Sequence, residues 1–123
     1  MAWQFDDERP IYTQLLEKIR VFIISGQYPP GSKLPPVREL AAEASVNPNT
    51  MQRALVELER SGLIYSQRTS GRYVTEDTSL IHSIKEAVAS EKVREFLLSM
   101  EQLGFQPDEA RKFIENMIKE NRL

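Results

Sequence analysis

Asn49, Thr50, Gln52 and Arg53 fall in one short run of the chain, and their side chains share one chemistry. Asn and Gln each set a hydrogen-bond acceptor beside a donor, the pair that an adenine edge demands. Arg sets two donors side by side, which suits guanine, and Thr bonds a phosphate or touches a thymine methyl. If the run opens a helix, the backbone N–H groups at that end add a site for phosphate. A polar helix start taken alone usually caps itself and does nothing more, so the neighbouring elements decide its meaning. Adjacent residues on a helix diverge by about 100°, so Gln52 and Arg53 cannot both point straight out of one face. Gln52 is assigned to a base edge and Arg53 to the backbone of a nucleic acid.

Three further places carry compatible groups. Arg38 reads either as a phosphate or base contact or as a solvated cation paired with Glu39 or Glu43. Lys33, in a proline-rich stretch, is a phosphate contact or a solvated charge. Gly71 followed by Arg72 allows a backbone to approach a minor groove with a cation behind it, or is a plain turn. Other chemistries find no support. His82 is the sole histidine, and beside Ser83 it reads as a solvated side chain; no carboxylate–histidine set has metal-ligand spacing. Asp6, Asp7 and Glu8 read as a solvated acidic start. No nucleophile elbow or glycine-rich phosphate loop occurs, so no enzyme activity, metal or cofactor is expected.

The elements that position these residues can be followed along the chain. Ile11, Leu15, Ile19, Phe22 and Ile23 form one apolar stripe of a helix over 10–25, with Pro10 in the first turn and Gly26 as the stop. Pro29, Pro30, Gly31, Pro35 and Pro36 make the next stretch a rigid, extended connector. A short helix over 36–44 turns Leu40, Ala41 and Ala44 inward. Asn47 then suits an N-cap and Pro48 the first helical position. The helix they open runs to about Ser61, burying Met51, Ala54, Leu55 and Leu58, and Gly62 ends it. Only three or four residues separate the two helices, which is helix-turn-helix geometry. Leu63–Ser66, a turn at 68–71 and Arg72–Thr75 read as a β-hairpin, a wing. A helix over 80–103 and a last helix from Pro107 complete the chain.

Composition neither demands nor forbids this reading. The chain has 123 residues, 41% of them hydrophobic, and a formal net charge of −2. Residues 33–73 carry six cations against four carboxylates, a modest local excess of positive charge. No cysteine occurs, so disulfides and thiolate metal sites are excluded. No apolar run approaches the ~20 residues of a membrane span, and the acidic start lacks the order of a secretory signal. A cytoplasmic protein is expected.

The string KLPPVRELAAEASVNPNTMQRALVELERSGLIYSQRTSGRYV resembles the winged-helix domain of the GntR family of bacterial transcription regulators. The resemblance spans about residues 10–75. Its Val-Asn-Pro-Asn-Thr form is similar to the YtrA-type subfamily, whose tails are short and helical. Two positions depart from the family pattern: Pro48 stands where the family usually has a base-reading Arg, and Pro36 where it usually has a small hydroxyl residue. The resemblance implies a homodimer that represses by occupying an operator. Matched by motif, it implies DNA contact by Arg38, Asn49, Thr50, Gln52 and Gly71.

The expected architecture is mainly α with a small β-hairpin: a winged helix-turn-helix over 1–77 and a two-helix dimerisation tail over 78–123. Forty-four residues are too few to enclose a typical metabolite pocket. Apolar stripes at Ile81, Ile84, Val88, Phe96, Leu97, Met100 and Leu103, and at Ala110, Phe113, Ile114, Met117 and Ile118, still need a partner; a second copy supplies one, the other reading being that they pack back on the winged domain. The other open reading is a winged helix that grips another protein without binding DNA, which the acidic net charge favours slightly.

Overall fold

The computed structural model describes residues 3–123. Its elements run α1 (Ile11–Ile24), α2 (Val37–Ala44), α3 (Pro48–Ser61), β1 (Ile64–Gln67), β2 (Gly71–Val74), α4 (Thr78–Gln102) and α5 (Pro107–Lys119). The protein is therefore mainly helical with one two-stranded antiparallel sheet. Two compact units divide it inside α4: one runs to Lys85, the other is Glu86–Leu123.

The first unit closes around the residues that helical periodicity selects. Leu15, Ile19 and Ile23 of α1, Leu40, Ala41 and Ala44 of α2, and Met51, Ala54, Leu55 and Leu58 of α3 are all buried. Leu34, Leu63, Ile64 and Val74 complete this core. Ile81 and Ile84 pack against it from α4, so the winged unit extends past residue 77, the end expected from the sequence. The physical reason lies at Asp77. Its carboxylate accepts the Leu80 N–H at 3.0 Å, which starts α4 two residues early and turns its first apolar residues onto the core.

The proline connector is more than a spacer. Leu34 N–H donates to the Arg72 carbonyl at 2.9 Å, and Val74 N–H to the Ser32 carbonyl at 2.8 Å. Lys33 pairs with Tyr73 as an antiparallel bridge. The connector thus covers the free edge of β2, satisfying backbone groups that an edge strand would otherwise expose. Around Phe22, Trp3 and Tyr28 stack edge-on, each with ring centroids 5.4 Å away.

The second unit is thinner. In it, among the described residues, only Ala110 is fully buried. Phe105 and Phe113 meet edge to face at 5.8 Å. Phe96, Leu98, Leu103, Phe113, Ile114 and Ile118 remain exposed, and an open apolar groove of about 400 Å³ runs past Phe96, Leu103, Ile114 and Met117.

Candidate nucleic-acid interface

The start of α3 is fixed by its own sequence. Ser45 ends α2 in the left-handed conformation (φ 59°), and Val46 N–H bonds back to the Ala41 carbonyl at 2.9 Å. Asn47 then adopts an extended backbone, and its side chain accepts the Asn49 N–H at 2.7 Å. Pro48 needs no partner for a missing N–H. Residues 47–49 are exposed and Thr50 is half-buried. The amino end of α3 is therefore open to solvent within the winged unit. Arg38 is exposed on the first turn of α2 and makes no ion pair with any described residue.

Residues facing each other across the hairpin lie on the same face of it. Ile64 pairs with Val74 and Ser66 with Arg72, and these share the face turned to α3; Tyr65 pairs with Tyr73 on the other. Ile64 and Val74 enter the core. Farther out, Ser66 and Arg72 meet Glu59 of α3. One Glu59 oxygen, Oε1, accepts from Arg72 Nε at 2.6 Å and from Ser66 Oγ at 2.8 Å. Arg72 Nη1 also donates to Gln52 Oε1 at 3.4 Å. On the outer face Tyr65 and Tyr73 stack with centroids 5.8 Å apart.

Partial burial raises the Glu59 pKa, but the Arg72 and Ser66 hydrogen bonds and the Arg72 charge outweigh it, so the carboxyl sits below its ordinary value. The wing is thus held to α3 by an ionised carboxylate, not by packing alone.

Arg53 projects from the neighbouring face of α3, where its guanidinium lies 3.7 Å above the centroid of the Tyr12 ring. Such stacking leaves the edge of the guanidinium able to donate. Lys33 is exposed beside the wing, and Gly71 has φ +114°, where a Cβ would also come within 3.3 Å of Lys33 Cε. Only glycine suits that position.

The structure therefore links Gln52 with Arg72, sets Lys33 beside Gly71, and leaves Arg38 and Asn49 exposed on successive helices. It differs from the sequence reading at the wing. Arg72 is not a cation at the hairpin tip. Its register partner is Ser66, so its side chain falls on the inner face and turns back to Glu59. The tip is the turn at 68–70, where Arg68 is exposed. Sequence reasoning missed Glu59, Tyr12 and Arg68. Glu59 was legible in principle, because it lies seven residues after Gln52 and so on the same side of the helix.

Comparison with known proteins agrees with this geometry. The model of the bacterial regulatory proteins of the gntR family matches residues 11–74. The HTH-type transcriptional repressor YtrA of Bacillus subtilis is 33% identical over 110 residues, covering 88% of this chain and 84% of that protein. A GntR family transcriptional regulator from Listeria monocytogenes superposes with a TM-score of 0.85 at 38% identity, covering 91% of this chain and 98% of that one. The DNA-binding domain of AraR, solved in complex with operator ORX1, superposes with a TM-score of 0.56 at 28% identity, over 61% of this chain and 95% of that one. The matched span holds every element from α1 to β2, and the chain belongs to the gntR family of bacterial regulatory proteins.

Proposed function

We propose that this protein is a sequence-specific DNA-binding transcription regulator that acts as a repressor by occupying a palindromic operator as a homodimer in the cytoplasm. The observation that carries the reading is the exposed amino end of α3, with Asn49, Gln52 and Arg53 beside an anchored wing. A major groove admits a helix presented in that way. Arg38 and Lys33 are exposed cations, Thr50 lies in the first turn of α3, Gly71 and Arg72 belong to the wing, and Arg68 is assigned as the cation at the wing tip. The operator complex of AraR and the repressor activity in the name of YtrA support the same function here.

The second unit supports the homodimer. Phe113, Ile114 and Ile118 expose one apolar side of α5, and a second copy would cover it. A dimer would carry two α3 helices, one for each half-site of a palindromic operator. Among the described residues no helix is long and apolar enough to cross a membrane.

Titration of labelled promoter DNA from upstream of the protein's own gene tests the reading. Binding should weaken steeply as salt rises, because contacts with phosphates release counterions, and should exceed binding to unrelated DNA. Equal, weak binding to both would reject the function.

A further inference from the structure

Gln52 does not stand alone at the candidate interface. Its amide oxygen faces Arg72, and Arg72 is held by Glu59 through a 2.6 Å hydrogen bond. An amide has two faces of opposite character, an acceptor and a donor, and in isolation it can flip. A guanidinium has donors only. While Arg72 is held in place, the Gln52 carbonyl turns to the wing and its NH2 group turns away. We infer that Glu59 is a specificity-determining residue that touches no DNA: through Arg72 it fixes which end of the Gln52 amide meets the base. The inference rests on the DNA-binding reading above.

Fixed order matters because bases differ by order. In the major groove adenine presents an acceptor and a donor, whereas guanine presents two acceptors. With its carbonyl held by Arg72, the locked amide offers only its NH2 donor, which suits the two acceptors of guanine better than the acceptor–donor pair of adenine. An amide free to flip meets either in part, so discrimination falls. Ser66 strengthens the lock by holding the same Glu59 oxygen at 2.8 Å, leaving the carboxylate little freedom to release Arg72. Electrostatics sharpens the argument. A carboxylate beside a polyanion opposes binding, so Glu59 lowers affinity for all DNA while raising selectivity at one position.

These two effects have opposite signs, and that separates the role from a merely structural one. The experiment is selection of bound sequences from a randomised DNA pool by the full chain and by Glu59→Ala, Glu59→Gln and Gln52→Ala. For Glu59→Ala, preference at a single position of each half-site should fall by about fivefold or more, the scale of one good base contact at about 1 kcal/mol. The other positions should keep their preferences, and affinity for a pooled random sequence should hold or rise. Gln52→Ala should lose preference at that same position. Glu59→Gln keeps an acceptor for Arg72 and should lie between Glu59→Ala and the parent; it also supplies the readout should Glu59→Ala fail to fold. Unchanged half-site preferences in both Glu59 variants would overturn the inference. So would a loss spread evenly over all positions, or a loss at a position other than the one Gln52→Ala affects. Failure of the parent chain to enrich any sequence would instead overturn the DNA-binding reading itself, and the inference with it.

Discussion

Glu59 and Arg72, thirteen residues apart in the chain, are joined by a 2.6 Å ion pair that ties the wing to the helix whose amino end faces solvent. The pair sits just outside the core formed by Ile64, Val74 and Leu55. Its two side chains are 29% and 17% exposed, respectively, which places it between a surface pair and a buried one. Its value is positional: it sets where the hairpin stands beside α3.

Arg72→Ala should therefore destabilise the winged unit by about 1 kcal/mol, the upper part of the range for exposed pairs, as read by chemical unfolding at neutral pH. The effect should depend on pH. Glu59 has a folded pKa below its ordinary value of 4.5. A carboxyl lowered on folding stabilises above its unfolded pKa and loses that contribution as pH falls through the folded one. The gap between parent and Arg72→Ala should thus be full above about pH 5.5 and shrink below 4.5. A gap that stayed constant down to pH 3 would show that the ionised carboxylate contributes nothing.

Leu55 of α3 is fully buried and belongs to the core that α1, α2, α3 and the hairpin share. Leu55→Ala should cost about 2–5 kcal/mol of stability, from lost burial and the cavity left behind. Since Leu55 holds no candidate contact, operator affinity extrapolated to the folded fraction should change little. Differential unfolding with and without DNA separates the two quantities.

Arg53 and Arg38 are exposed on neighbouring helices. Replacing either by Ala should weaken operator binding by about 1–3 kcal/mol if it makes one good contact. If that contact is to phosphate, the salt slope should also drop by about one counterion. Tyr12→Leu removes the ring beneath Arg53 while keeping an apolar side chain. Its loss should be smaller, about 0.5–1 kcal/mol, and should vanish in the Arg53→Ala background. Anisotropy titrations of the four proteins give the cycle directly.

The α5 face is tested by charge. Ile114→Glu with Ile118→Glu places two carboxylates on an already exposed side, so the unit itself should still fold. Sedimentation equilibrium should give a dimer for the parent and a monomer for the double variant. A monomeric parent at micromolar concentration would remove the second copy from the account.

The sequence disclosed the helices of the winged unit closely, because their signals are local. Asn47–Pro48 opens α3 and Gly62 closes it, and the apolar spacing of Met51, Ala54, Leu55 and Leu58 names the buried side. Exposed candidates at Arg38, Asn49 and Gln52 were legible for the same reason. Relations across the chain were not. That Arg72 faces Glu59 follows from the register Ser66 to Arg72, which a four-residue turn region leaves open by one residue, and one residue flips every side chain. The stacking of Arg53 on Tyr12 depends on how α1 crosses α3. The division at residue 85 depends on which turns of α4 reach the core, and α4 itself has an unbroken helical pattern. Each of these is set by packing between elements rather than within one.

The central claim is that the amino end of α3 enters a major groove. Methylation of guanine N7 reports the major groove and methylation of adenine N3 the minor, so protection from dimethyl sulfate on the selected operator distinguishes the two. The account requires N7 protection in two patches about one helical turn apart, each lost selectively in Gln52→Ala or Asn49→Ala. Protection confined to adenine N3, or N7 protection that both variants leave intact, would contradict it.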